Sequence, residues 1–377
     1  MAAGQIRTGR LTVDGPVAVV LPPREGFSPG AVGAIGLLVH RLSPQEDCIV
    51  GAPLAAPAFA GRRFVAARPV PWPPLGPLRY AAAVASVLRR LRPALIEVHN
   101  RPEIARHLAW RFPDIPVALI LHNDPQAMRR ARTASERTAL LRRMRVACVS
   151  DWLRGRFVEG LPTGTEVRVL PNCIDLAALP PPVREREKLI LFAGRVVADK
   201  GADAFVAACA RVLPHRPGWR AAIIGGDRFS ADAADTAFLA ALRPLAAAAG
   251  IVMHGHQPHR VVLEAMARAA IVVVPSRWQE PFGMTALEAM ACGAALIVSP
   301  RPGLLEVVGH AALRAEPDLL EAALLRLTGD PALQAGLSGR GLARAQLFDI
   351  APARRRLQAM RADALARSRG FGQAAPA

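Results

Sequence analysis

Glu280 and Glu288 stand eight positions apart in PSRWQEPFGMTALEAMACGAALIVS (275–299). Glu280 falls in a loop. Glu288 falls about one and a half turns into a helix that starts near Gly283, so the two carboxyls lie roughly 10 Å apart. A pair that works on one bond, as in a retaining glycosidase, sits at ~5 Å. This pair suits the two ends of one elongated ligand instead, since carboxylates accept from vicinal hydroxyls and both a ribose and a hexose offer them. A lone helical glutamate is ordinarily a solvated charge, but Glu288 lies between Leu287 and Ala289–Met290 in an apolar helix. The free N–H groups at the start of that helix suit phosphate or sugar hydroxyls. A glycine-rich run, GAVGAIG (30–36), follows the first apolar strand and precedes a helical stretch. It reads either as a turn with positive φ or as a backbone that lets a phosphate or sugar come close. MRRARTASERTALLRRMR (128–145) holds seven Arg against Glu136, with Leu140, Leu141 and Met144 as an apolar stripe. That pattern suits an anionic membrane surface or a phosphorylated lipid, and equally a covering helix with a solvated Arg face.

The elements that must position these residues alternate along the chain. Apolar runs at 16–21, 94–100, 117–122, 146–150 and 167–172 read as buried strands, separated by helical stretches such as 79–91 and 126–144. PPPVRERE (180–187) reads as a semi-rigid linker. The alternation then restarts. Strands are expected at 188–194, 221–226, 251–255, 270–276 and 294–300, and helices at 201–213, 232–248, 261–268, 283–292 and 303–308. Such alternation predicts parallel sheets covered on both faces. The expected organisation is an α/β chain of two doubly wound domains, 1–179 and 188–349, facing each other across a cleft. A last basic helix, 351–368, could pack on either domain, and 350–377 is a candidate to return to the first. Ligands of open parallel sheets bind outside the carboxyl ends of the strands.

Composition narrows the classes. The 377 residues are 52% apolar and 21% charged, which supports sizeable cores and argues against intrinsic disorder. Aromatics are 5%, too few for a stacking-based single-strand binder. No run approaches the ~18–20 apolar residues of a membrane span, and MAAGQIRTGRLTVDGP has no apolar core of a secretory leader. Five scattered cysteines without a CxxC pair read as reduced thiols in a cytoplasmic protein. The net charge of +18 rests almost wholly on Arg, because Lys occurs only at 188 and 200. An Arg- and Ala-rich gene explains that charge as readily as a basic functional surface does. There is no GxxxxGK(S/T) loop and no GxGxxG at a strand end, which removes the main support for an NTPase or dinucleotide enzyme.

The run EPFGMTALEAMACG resembles the E-x7-E signature of retaining glycosyltransferases of the GT-B fold, the large family 4 group. That group includes phosphatidylinositol mannosyltransferase and many lipopolysaccharide sugar transferases. FAGRVVADKG (192–201) is similar to the family's first turn in the C-terminal domain. GHQPH (255–259) sits where the family contacts the nucleotide base, and VACVSDW (146–152) and VRVLPNCID (167–175) resemble its approach to the hinge. The resemblance covers most of 16–310 and implies two Rossmann-like domains.

Carried over residue by residue, the resemblance makes Arg195 and Lys200 the clamp on the donor diphosphate. That role suits two cations facing the growing charge of a leaving group. Glu280, with the backbone of Phe282, Gly283, Met284 and Thr285, would hold the donor sugar. Glu288 would take the ribose hydroxyls, His256 and Gln257 would lie at the base, and Gly194 would let the strand end approach the phosphates. The family's strand-end histidine beside the sugar is His122 in LILHND, with His99 in EVHN as its competitor. Gly33 matches the family's glycine loop. The chain departs from the family at Gly33-Ala34, where a Gly-Gly pair is usual, and at Cys173, where Gly is usual and a positive φ would strain the turn.

The resulting expectation is metal-independent sugar transfer from a nucleotide sugar to a glycan or lipid-linked hydroxyl, with retention and without a resident cofactor. The setting would be the cytoplasm or the inner face of the plasma membrane, in cell-envelope synthesis, with no specific nucleic-acid partner. The competing readings are a sugar-nucleotide epimerase on the same scaffold, a phosphorylase, and a basic envelope- or nucleic-acid-associated binding protein without catalysis.

Overall fold

The computed structural model describes residues 15–68, 76–181, 183, 185–227 and 235–371. The chain divides into two compact units. One comprises Met1–Cys148, Arg154–Leu170 and Arg354–Ala377, and the other Val149–Leu153 and Pro171–Ala353. The chain passes to the second unit at Pro171, ahead of the proline-rich stretch expected to be the linker. Of that stretch, residues 182 and 184 lie outside the described residues. So do residues 1–14, 69–75, the first three residues of the expected 232–248 helix, and 372–377.

In the first unit, strands β1 (Val17–Val20), β4 (Cys48–Gly51), β5 (Arg63–Ala66), β6 (Leu95–His99), β7 (Val117–Leu121), β8 (Arg145–Cys148) and β9 (Arg168–Val169) form one sheet. Its order is β5-β4-β1-β6-β7-β8-β9 and every pairing is parallel. β1, β4, β6 and β7 are buried along their whole length, the signature of a sheet covered on both faces. A small antiparallel hairpin, β2 (Phe27–Ser28) and β3 (Ala31–Val32), lies between β1 and the helix Ala34–Leu42. Strand order reverses between β1 and β6, so the chain leaves those two strands in opposite directions and opens a crevice at their carboxyl ends. Asn100 follows β6 at φ 55°, a conformation Asn tolerates. Its Oδ1 accepts from the amides of His122 (3.0 Å) and Asn123 (3.1 Å), tying the ends of β6 and β7 together.

The second unit repeats the plan. Strands β10 (Glu187–Ala193), β11 (Arg220–Ile224), β12 (Val252–Met253), β13 (Ala269–Val274), β14 (Ala295–Val298) and β15 (Leu313–Arg314) are ordered β12-β11-β10-β13-β14-β15, all parallel. Its reversal lies between β10 and β13. The core is apolar side chains from β10, β11 and β13 packed on the helices Ala202–Val212, Ala237–Ala248 and Leu320–Gly329.

The expected helix over 126–144 is shorter than its pattern. A 3-10 turn, Pro125–Ala127, is capped by Asp124, and Arg130 takes φ 65°. The helix begins only at Ala134, where Thr133 and Glu136 satisfy each other's backbone N–H groups in a capping box. Arg137 of the expected basic face is buried and donates to the carbonyls of Ala131, Arg132 and Glu159. Cys173 is not among the non-glycine residues with positive φ, so the strain expected of it does not arise. The five cysteines are buried and none is in a disulfide. Among the described residues no helix is long and apolar enough to cross a membrane.

The last helix, Ile350–Phe371, brings Arg361 into the first unit's interior. Arg361 is 3% exposed, and its guanidinium donates to Glu97 Oε2 and Asp47 Oδ2, both at 2.8 Å. Burial alone would raise the Glu97 carboxyl, but Arg361 and His99 outweigh it and hold it at about 2. Removing the shared cation leaves two buried carboxylates, so Arg361→Ala should destabilise the first unit by about 3–5 kcal/mol in urea unfolding. A carboxyl lowered in the folded state stabilises it above its ordinary value of 4.5, and that contribution drains away as pH falls from there towards 2. Unfolding free energy measured across that window should therefore fall less steeply in Glu97→Gln than in the parent.

Candidate functional site

In the second unit the site is built at the reversal between β10 and β13. β10 runs into Gly194 at φ 144°, and β11 into Gly225 at φ 141°. The Gly194 amide donates to the Ile224 carbonyl (3.0 Å) and the Gly225 amide to the Gly255 carbonyl (2.7 Å). A Cβ on Gly225 would run into the Gly194 carbonyl, so these strand ends meet backbone to backbone. Arg195 follows, exposed and without a side-chain partner among the described residues. A short turn, Ala198–Lys200, ends in Gly201 at φ 71°, where a side chain would strike the Pro275 carbonyl. This close approach sets Lys200 against the loop that follows β13.

That loop is pinned by the Asp199 carbonyl, which accepts from the amides of Arg277 (2.8 Å) and Trp278 (3.1 Å). Lys200 forms an ion pair with Glu280 and lies 4.7 Å from the centre of the Trp278 ring. Ser276 Oγ donates to the same Glu280 oxygen at 2.9 Å. Glu280 is 7% exposed, so its charge depends on these two donors. Gly283 then takes φ 100° and opens the helix Met284–Ala291 without a side-chain cap, leaving first-turn N–H groups available. The Phe282 ring is buried edge-to-face on Phe348 at 5.6 Å, so this stretch offers a ligand its backbone while the ring anchors it. Glu288, 8% exposed, meets His259 Nε2 at 2.7 Å. Burial and then the Glu288 charge push the neighbouring Cys292 thiol up to about 12.

The first unit has its own cluster at the β1/β6 reversal. Glu25 Oε1 accepts from the Gly36 amide at 2.7 Å, and the Gly33 amide also acts on that carboxylate. Burial raises the Glu25 carboxyl, and these amides with His99 and Arg101 offset part of the rise. The glycine-rich run thus already holds an anionic group from its own chain. His99 and His122 are both buried, joined Nδ1 to Nε2 at 3.0 Å, and His99 Nε2 meets Glu97 at 3.0 Å. Burial and the adjacent His99 hold His122 well below the ordinary imidazole range.

The structure therefore gathers the residues singled out in sequence into two groups. Gly194, Arg195, Lys200, Glu280, Phe282, Gly283, Met284, Thr285 and Glu288 belong to the second unit, and Gly33 and His122 to the first. His256 is exposed beside Gln257, whose amide donates to the His254 carbonyl at 2.8 Å. The histidine of GHQPH that reaches a carboxylate is His259, the first residue of the helix His259–Arg268, which sequence reasoning passed over. It also missed Ser276, Trp278, Glu25 and Glu97. Only Glu97 carried a signal: it lies two residues from His99 in a strand, hence on the same face.

With this geometry in view, comparison with known proteins is specific. Residues 38–178 match the family model for Glycosyltransferase Family 4, and residues 180–335 match that for Glycosyl transferases group 1. YtcC of Bacillus subtilis, provisionally named a glycosyltransferase, is 30% identical over 250 residues, 61% of this chain and 61% of its own length. The lipopolysaccharide 1,2-N-acetylglucosaminetransferase of Salmonella typhimurium is 25% identical over 252 residues, 63% of each chain. The matched region thus spans less than two thirds of these curated relatives. Anabaena Alr3699/HepE, solved in complex with UDP-glucose, is 16% identical with a TM-score of 0.70, covering 94% of this chain and 99% of that one. The fold is GT-B, with two Rossmann-like units. The chain belongs to the group 1, family 4-like glycosyltransferases.

Gly225 should be among the least replaceable residues here. Gly225→Ala forces both a disfavoured φ and a clash with the Gly194 carbonyl. It is expected to cost about 1–3 kcal/mol of second-unit stability in chemical unfolding.

Proposed function

We propose that this chain transfers a sugar from a nucleoside-diphosphate sugar to an acceptor hydroxyl, with retention at the anomeric carbon. The observation that carries this reading is the Lys200–Glu280–Ser276 cluster at the β10/β13 reversal, in the same loop region as Arg195, whose side chain has no partner among the described residues. Arg195 and Lys200 take the diphosphate oxygens. As the bond from the anomeric carbon to the phosphate oxygen breaks, the departing diphosphate gains negative charge and the two cations neutralise it. The acceptor oxygen attacks the face the diphosphate vacates, and its proton passes to the departing phosphate oxygen. Glu280 and the amides from Phe282 to Thr285 hold the sugar. Glu288, tethered by His259, takes the ribose hydroxyls. Two cations suffice for the leaving group, so the mechanism runs without a metal.

HepE was solved with UDP-glucose, which makes uridine diphosphate sugars the first donors to assay. The Salmonella relative is a lipopolysaccharide transferase, which supports an envelope glycan or lipid-linked acceptor and a site of action on the cytoplasmic side of the membrane. The acceptor's membrane setting has one further support. A cavity of about 500 Å³ in the first unit is lined by Arg106, Arg129, Arg130 and Arg143, with Trp110 exposed beside them. Basic and aromatic groups together suit an anionic bilayer surface.

UDP at a hundredfold excess over Kd should stabilise the protein by about 2.7 kcal/mol in a thermal-shift assay with EDTA present. Glu288→Ala should abolish that shift. No shift with UDP, GDP or ADP in the folded parent would sink the donor site. Lys200→Ala should lower transfer about 100-fold or more, measured as nucleotide released per acceptor glycosylated. Activity in EDTA should match that in buffer alone, and dependence on added magnesium or manganese would contradict the metal-free route.

A further inference from the structure

The first-unit cavity of about 500 Å³ is lined by Arg106, Arg129, Arg130 and Arg143, with Trp110 and Leu78 as apolar lining. That volume fits a small organic ligand. The helices Gly76–Leu91, Pro102–Arg111 and Ala134–Arg143 supply most of the lining, and the turn ahead of the last supplies Arg129 and Arg130. Glu25, Gly33, His99 and His122 are not part of it, so it is separate from the crevice between β1 and β6. All four arginines are exposed, and no guanidinium of the four has a hydrogen-bond or ion-pair partner among the described residues. Glu103 is the one acid among the described lining residues, and it forms no ion pair with them. Burial, and then the charge of Arg111, lowers His107, a further lining residue, so it adds no charge at neutral pH. Like charges gathered without partners repel one another, and an anion bound among them removes that cost.

The turn that carries two of these cations is held in place. The Met128 amide donates to the Pro125 carbonyl (3.0 Å), and the Ala131 amide to the Met128 carbonyl (3.3 Å). Buried Arg137 donates to the carbonyls of Ala131 and Arg132. Arg130 takes φ 65°, in the left-handed region where a side chain other than Asn or Asp is strained. Glycine would hold the same turn without strain. An exposed side chain with no partner offsets none of that strain within the fold, so what the turn gains from Arg130 is its cation. Trp110 is 67% exposed, which sets a planar apolar surface beside the charges. Guanidinium forks match phosphoryl oxygens bidentately. A carboxylate's two oxygens occupy one fork, whereas the three of a terminal phosphoryl group engage several.

We propose that this cavity is a second anion site, separate from the donor site, which holds the phosphoryl group of a phosphomonoester whose planar or apolar remainder lies on Trp110. A soluble phosphomonoester and the headgroup of a phosphomonoester lipid offer the same chemistry. The site goes beyond a basic face that suits a bilayer, because it is discrete and saturable. It uses no residue of the glycosyl-transfer reading and stands without it.

Phenyl phosphate is the soluble probe. It is titrated by calorimetry into the full chain carrying Lys200→Ala, so that the proposed donor clamp does not compete. One saturable site is expected. In that background Arg129→Ala and Arg143→Ala should each weaken it about tenfold or more, the loss of a charge-assisted contact. Arg130→Gly should weaken it as much while melting no lower than its parent, because the left-handed strain is relieved. A residue retained for the fold would give the opposite pair of results. Trp110→Ala should weaken phenyl phosphate and leave inorganic phosphate unchanged, and Trp110→Phe should restore the difference. No saturation at millimolar phenyl phosphate, or parent-like affinity in Arg129→Ala and Arg130→Gly, overturns the proposal. Vesicles then separate the sources. Binding to phosphatidic acid vesicles above phosphatidylglycerol vesicles of matched surface charge, displaced by phenyl phosphate, identifies the lipid phosphomonoester. Saturable phenyl phosphate binding without that preference identifies the soluble one. Equal attraction to both vesicles with no binding of phenyl phosphate is diffuse surface charge, and it overturns the site.

Discussion

Each unit depends on a parallel sheet whose strand order reverses once. Parallel strands joined by right-handed crossovers must send successive connections to the same face of the sheet. Where the order reverses, neighbouring connections leave to opposite faces and no helix covers the gap between them. In the second unit the gap lies between β10 and β13 and is lined by Gly194–Lys200 on one side and Ser276–Glu280 on the other. In the first it lies between β1 and β6 and is lined by Glu25, Gly33 and His99. Glycines at the second gap let backbone meet backbone, as Gly225 does with Gly194 and Gly201 with Pro275. The charged side chains are thereby placed by main-chain geometry instead of by their own flexible stems.

The two gaps handle charge differently. Around Glu280 the charges are mostly covered and short-range, with one ammonium, one hydroxyl and the Trp278 ring, and the Lys200 side chain keeps 21% exposure through which an incoming anion can reach it. Around Glu97 the charges are sealed in and every partner is fixed. Buried ion pairs of this second kind seldom add net stability over an apolar core.

Much of this arrangement was legible in the residues, and the exceptions are instructive. Apolar runs marked β1, β7, β10, β11 and β13, because a strand buried on both faces has few polar interruptions, and β6 was readable despite its buried Glu97 and His99. β4 escaped because Cys48–Gly51 is four residues long and bordered by prolines, and β15 because two residues carry no period. The helix expected over 126–144 was overdrawn, since an apolar spacing cannot reveal that Thr133 and Glu136 cap a later start. The E-x7-E stretch was readable from its own spacing and Lys200 from the family resemblance, but their pairing across 80 positions was not. His99 and His122 looked like rivals for one role. They are hydrogen-bonded to each other, and Arg361, which holds the Glu97 that His99 meets, is 264 positions from Glu97. No local pattern can announce a pairing at that distance.

The last helix carries one consequence for how the protein comes into being. A ribosome releases Asp47 and Glu97 long before Arg361 exists, with the whole contiguous stretch Pro171–Ala353 made in between. The first unit therefore waits, during synthesis, for a counter-charge made only after the whole of that stretch, whereas the main stretch of the second unit, Pro171–Ala353, is complete as soon as it emerges. The nascent chain reverses the usual order in which the earlier domain settles first. A chain stopped between Ala353 and Arg361 leaves the older half of the protein, not the newer, without a finished interior.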